Sequence, residues 1–170
     1  MFYTDKIKQP GFFRLGGAWD ERRNRDDKRV VFTNGIFDLL HIGHVSLLER
    51  AAEYGDILIV GVNSDLSTAR LKGPYRPIIP AEQRRAMVAS LGCVRYVTSL
   101  EDDDPRELIR LIRPEVIAKG ADWSISRMLG ADDVGRWNGK AYAIDHPFRE
   151  VTTSSIIAAV VERGQVCQES

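Results

Sequence analysis

Thr33-Asn34-Gly35-Ile36-Phe37-Asp38-Leu39-Leu40-His41-Ile42-Gly43-His44, TNGIFDLLHIGH, holds two of the chain's three histidines. It decides the fold because one local pattern gives way to another across it. Before it, Arg29-Val30-Val31-Phe32-Thr33 is a short apolar run of the buried-strand kind. After it, His44 to Tyr54 repeats its apolar residues at helical spacing up to Gly55, which is suited to a C-terminal cap. A strand that passes through a tight turn into a helix is the opening unit of a parallel α/β sheet.

Working outward, Ile57-Leu58-Ile59-Val60-Gly61-Val62 is apolar throughout, as a strand covered on both faces must be. Ala81 to Leu91, after Pro80, predicts a helix, and Val94 to Val97 a third strand. Asp104 caps a helix whose first position is Pro105 and which ends near Ile112, ahead of Pro114. Val116-Ile117-Ala118 and Ala141-Tyr142-Ala143-Ile144 predict two more strands. Thr152 or Thr153 caps a last helix, Ser154 to Arg163, stopped by Gly164. The alternation specifies a doubly wound, Rossmann-like α/β fold with a parallel sheet of about five strands and right-handed crossovers. Such sheets bind ligands at the carboxyl ends of their strands, where the strand order reverses.

Residues 29–170 are expected to form one domain. Residues 1–28 show neither alternation nor a helical stripe, and the charge run from Asp20 to Lys28 reads as a solvated arm. Phe12, Phe13 and Trp19 in that arm are expected to dock on the domain or on a second subunit.

With 44% apolar residues among 170, the chain can bury a core without disulfides or metal. Lys plus Arg equals Asp plus Glu at 24 each, so no global field favours nucleic acid or an anionic membrane, and an anionic ligand must be held by local groups. Cys93 and Cys167 have no metal-ligand spacing and suit a reducing compartment. No apolar run approaches the roughly 20 residues that span a bilayer, and a basic-then-apolar leader is not seen. These features predict a cytoplasmic protein acting on a small molecule.

The turn itself asks for phosphate. A helix start offers unpaired N–H groups and a positive dipole end. His41 and His44, three apart, share one side of it, and Gly35 and Gly43 allow close approach to the main chain. A histidine at a helix start is also an ordinary cap, and the residues alone leave that reading open. A zinc site would need a third and fourth ligand that this pair, with only Asp38 nearby, does not supply.

Gly35-x-Phe37-Asp38-x-x-His41-x-Gly43-His44 resembles the signature of the cytidylyltransferase-like nucleotidyltransferases, whose H-x-G-H pair also occurs in class I aminoacyl-tRNA synthetases. The chain has no lysine-rich second synthetase signature and no basic surface for tRNA. Val60-Gly61-Val62-Asn63-Ser64-Asp65, Leu71-Lys72-Gly73-Pro74-x-Arg76-Pro77-Ile78, Glu82-Gln83-Arg84 and Lys119-Gly120-Ala121-Asp122 resemble, in order, the bacterial D-glycero-β-D-manno-heptose 1-phosphate adenylyltransferases. Thr152-Thr153-Ser154-Ser155-Ile156-Ile157 is similar to their hydroxyl-rich segment, although the same residues are a common N-cap.

The resemblance implies transfer of AMP from ATP to a heptose 1-phosphate, with Mg2+ bound mainly through the triphosphate and a homodimeric enzyme. It implies catalytic roles for His41, His44 and Lys72. Nucleotide binding falls to Thr33, Asn34, Gly35, Ile36, Phe37, His41, His44, Arg84, Lys119, Gly120, Asp122, Thr152, Thr153 and Ser154, and acceptor binding to Asp38, Asp65, Lys72 and Arg76. Lys72 lies in a loop on this reading, where a solvated lysine is the plain alternative, as a turn aspartate is for Asp65. Ala121-Asp122-Trp123 resembles instead the glycerol-3-phosphate cytidylyltransferases. A cytidylyltransferase for a polyol phosphate, or an enzyme adenylating flavin mononucleotide, is therefore the alternative within the same chemistry.

Overall fold

The computed structural model describes residues 2–13, 28–121 and 124–166. Trp19, Asp122, Trp123 and Cys167 lie outside them. A parallel sheet forms from β1 (Val30–Gly35), β2 (Ile57–Asn63), β3 (Tyr96–Leu100), β4 (Val116–Gly120) and β5 (Lys140–Ile144), in the order β3-β2-β1-β4-β5. The helices are α1 (Tyr3–Lys6), α2 (Ile42–Ala52), α3 (Asp65–Lys72), α4 (Ala81–Ser90), α5 (Arg106–Ile112), α6 (Ala131–Gly135) and α7 (Thr153–Val166). This is the doubly wound Rossmann-like α/β architecture that the alternation of apolar runs specified.

Successive residues of a strand face opposite sides of the sheet, and the core divides accordingly. Val31, Leu58, Val60 and Val62 pack with Leu48 of α2 and Val88 of α4. Val30, Phe32 and Ile59 pack on the other face with Ile109 and Ile112 of α5. Burying such side chains contributes roughly 1.5–3 kcal/mol each, which is why the strands are apolar without interruption. The order reverses between β1 and β4, so the carboxyl ends of these two strands flank the crevice.

Several elements depart from the sequence reading: α6 was not anticipated, and α5 starts at Arg106 with Pro105, not Asp104, at its N-cap. β3 starts at Tyr96 rather than Val94 and runs through Thr98 and Ser99 to pair Asn63 with Leu100. α3 was not anticipated, because its buried face is made of hydroxyls rather than an apolar stripe. Ser64 caps it by accepting the Ser67 N–H at 3.2 Å. Buried Ser67 and Thr68 then bond to Asp103 (2.7 Å) and to the Ser64 carbonyl (2.8 Å). α7 continues past Gly164, where an end was expected. Residues 2–13 are not a bare arm: Ile7 forms a parallel bridge with Val97 on the outer edge of β3, and Phe13, fully buried, packs edge-on against Tyr96.

Candidate active site

Beyond Gly35 the chain turns through Phe37 and Leu39, both left-handed at φ 54° and 46°. Non-glycine residues hold this conformation only where their surroundings impose it, and Asp38 between them shows how. Its side chain is fully buried, one oxygen accepting from Arg76 Nε (2.8 Å) and the Ile78 N–H (2.9 Å), the other from the Ile79 N–H (2.9 Å). Burial pushes the carboxyl upward, but the two backbone donors and the guanidinium outweigh it and hold it below the usual carboxylate range. Arg84, fully buried, ties the same turn from α4: it donates to the carbonyls of Ile79 (2.8 Å) and Ile36 (2.5 Å) and to Asp65 Oδ1 (2.7 Å).

α2 then begins. His41 holds its N-cap position in extended conformation, yet its side chain makes no capping hydrogen bond. Its ring stacks on His44 instead, centroids 3.8 Å apart, and Phe37 lies 5.3 Å from His44. The Nδ1 atoms of both histidines are buried and without a hydrogen-bond partner. Burial, with the nearness of His41, pushes His44 down to about 3 against the opposing pull of Asp38. Burial and then His146 lower His41 as well. His44 is therefore a neutral imidazole near neutral pH, with one N–H donor and one acceptor nitrogen.

The start of α7 meets this turn. Thr152 and Ser155 cap each other, each backbone N–H donating to the other's hydroxyl at 3.0 Å. Thr153 Oγ1 donates to the Asp38 carbonyl at 2.9 Å, and Ser154 is exposed. Gly43 makes this meeting a close one. A Cβ on it would lie 3.0 Å from both His41 Nδ1 and the Val151 carbonyl oxygen, so the glycine lets two helix starts close on each other. Gly35 does similar work, since a Cβ there would sit 3.1 Å from the Phe37 ring. Both glycines admit neighbours from within the chain.

The other nominated residues divide. Thr33 Oγ1 is buried without a partner, and Lys119 Nζ, from β4, donates to the Asn34 carbonyl at 2.7 Å across the strand switch. Gly120 closes β4 opposite Ile144. Lys72 is not in a loop: it is the exposed last residue of α3, followed by Gly73 at φ 98°. Asp65 also accepts the Ala81 N–H at 2.8 Å, which with Arg84 makes it a brace between α3 and α4. Arg76 gives its Nε to Asp38. Asp122 lies outside the described residues.

Sequence reasoning overlooked His146, whose Nδ1 is likewise buried without a partner. Its signal was present: the remaining histidine of the chain stands a few residues ahead of the hydroxyl run. Among the described residues no group of His, Cys, Asp and Glu could hold a metal ion, and no helix is long and apolar enough to cross a membrane.

Residues 32–158 match the family described as Cytidylyltransferase-like. The chain is 43% identical over 143 residues to the bifunctional protein HldE of Syntrophotalea carbinolica, covering 84% of this chain and 29% of that protein. It is 52% identical over 105 residues to HldE of Nitratiruptor sp., covering 62% of this chain and 23% of that one. It thus spans less than a third of these relatives' length. Among solved structures, a lipopolysaccharide core biosynthesis protein from Thermoplasma volcanium superposes with a TM-score of 0.58 at 26% identity, over 69% of this chain and 95% of that one. Pantothenate synthetase from Thermus thermophilus shares the fold, with a TM-score of 0.52 at 14% identity over 85% of this chain and 63% of that one.

Proposed function

The chain belongs to the cytidylyltransferase-like family of nucleotidyltransferases, and from that premise we propose that it joins the AMP moiety of ATP to D-glycero-β-D-manno-heptose 1-phosphate. An oxygen of the sugar phosphate attacks the α-phosphorus in line; its P–O bond forms as the bond to the β-phosphate bridge breaks, and pyrophosphate leaves. The attacking oxygen is already ionised near neutral pH, so catalysis rests on positioning and on stabilising charge. The observation that carries the reading is the contact between two helix starts at Gly43 and Val151, with the stacked pair His41 and His44 beside it. Two such ends present N–H donors to one polyphosphate. Neutral imidazoles add N–H donors without serving as acids or bases. Mg2+ enters with the triphosphate, as part of the substrate.

The likeness to HldE proteins and to a lipopolysaccharide core biosynthesis protein supports a phosphorylated sugar as acceptor. On this reading residues 29–170 are the catalytic domain of a cytoplasmic homodimer, and Lys72 reaches the phosphates from the end of α3. Pyrophosphate release, measured with ATP or CTP and Mg2+ against heptose 1-phosphate, glycerol 3-phosphate and flavin mononucleotide, tests it. Release with ATP and heptose 1-phosphate is expected. Release only with CTP and glycerol phosphate, the reading that Ala121-Asp122-Trp123 favours, overturns it.

A further inference from the structure

The third histidine belongs to no motif that the function absorbed. His146 follows β5 by two positions, in the connection to α7. That connection is fastened at both ends: Arg149 Nε donates to Asp145 Oδ1 at 2.6 Å, bracketing His146, and Val151 and Thr153 seat the far end on Gly43 and Asp38. His146 itself is half-buried, with Nδ1 enclosed and unpartnered, as in His41 and His44. It also lies near enough to oppose protonation of both. Among these groups the one carboxylate acting on His44 is Asp38, already neutralised by Arg76, Ile78 and Ile79. A cluster of imidazoles beside two helix starts suits a multiply charged anion.

We propose that His146 is a third imidazole of the phosphate site, entering from the α7 side of the clamp, and contacts the two phosphates that leave as pyrophosphate. The assignment rests on the nucleotidyltransferase reading but not on the identity of the acceptor. The test is calorimetric binding of inorganic pyrophosphate with Mg2+ to the wild type, His146→Ala, His146→Gln and His146→Leu, alongside KM for ATP, KM for the acceptor and kcat. His146→Ala and His146→Leu should each weaken pyrophosphate about tenfold, the size of one hydrogen bond to a charged group. They should raise KM for ATP alike and leave KM for the acceptor unmoved. His146→Gln, which keeps an N–H donor, should recover most of the loss. Gln and Leu fill comparable volume, so that pair decides even if the alanine variant unfolds. Equal pyrophosphate affinity in the Gln and Leu variants would overturn the proposal. Pyrophosphate binding that is indifferent to His146, alongside intact heptose turnover, removes His146 alone; His146-dependent binding without heptose turnover removes the acceptor instead.

Discussion

The two halves of the clamp are built differently. The turn between β1 and α2 is over-determined, with a buried carboxylate accepting three hydrogen bonds, a buried guanidinium tying three acceptors, and two residues held in left-handed conformation. The connection between β5 and α7 is held by exposed groups: the Arg149–Asp145 pair is 56% and 71% exposed, and the Thr152–Ser155 box faces solvent. Exposed pairs of this kind contribute from nothing to about 1 kcal/mol. One half is tied by buried bonds and the other by exposed ones, seated on the first through Thr153 and the Val151 carbonyl. On the proposed reading His41 and His44, the side chains that meet the reacting phosphorus, stand in the half tied by buried bonds.

The comparison breaks most visibly at Asp38. Asp38→Ala strands Arg76 and two backbone N–H groups in the interior and removes the clamp on Phe37 and Leu39. Loss of one partner of a buried pair costs about 3–5 kcal/mol, so the urea midpoint should fall steeply, and turnover with it. A loss below about 1 kcal/mol would mean that the turn keeps its shape without the carboxylate. His44→Ala comes next. The far-UV circular dichroism should be unchanged while kcat falls about 10²-fold or more, the usual effect of removing one preorganised donor. Near-normal kcat would leave His44 a packing residue against Phe37.

The pH dependence of stability sharpens the same contrast. His44 and His41 have pKa values below the ordinary 6.5, His44 at about 3, so the unfolded chain binds more protons than the folded one between these values. Stability is then fully present above 6.5 and is lost as pH falls toward 3. Asp38, also lowered, adds a loss of the same sign only below its ordinary 3.8. Urea midpoints measured between pH 7.5 and 4.5 should therefore decline, and His44→Gln should flatten that decline. An unaltered slope in the variant would assign the decline to other groups.

What the chain disclosed in one dimension follows from what is local. Uninterrupted apolar runs gave away β1 and β2, since a strand covered on both faces has no polar side. The strand-to-helix turn was legible because glycines and a helix start lie within a dozen residues. α3 was hidden because hydrogen-bonded hydroxyls, not apolar side chains, fill its buried face. The charged residues nominated for ligands were harder still. Asp38, Asp65, Arg76 and Arg84 all carry the right chemistry, but Asp38 meets Arg76 and Asp65 meets Arg84, and the Ile78 and Ile79 N–H groups reach Asp38 across 40 and 41 positions. Only tertiary structure shows which opposite charges meet. His146 escaped notice for the same reason, being about a hundred positions from the pair that it joins.

The smallest expected effect lies in the half held by exposed groups. The Thr152 hydroxyl accepts the Ser155 N–H and still has its own proton to donate; Thr153 already donates its proton to the Asp38 carbonyl. Of the two threonines, Thr152 is therefore the one whose hydroxyl can cap the helix and bond a phosphate at once. Thr152→Ala should cost about 1 kcal/mol of stability, as loss of a cap does. It should also raise KM for ATP on the order of tenfold, through loss of a hydrogen bond to a charged group, while KM for the acceptor stays put. Thr152→Ser should restore both. A cap alone would lose the stability and leave KM for ATP where it was, which makes the two readings separable in one pair of variants. It would also remove the Thr152 hydroxyl from the phosphate donors at this end, leaving them to His146, Ser154 and main-chain N–H groups.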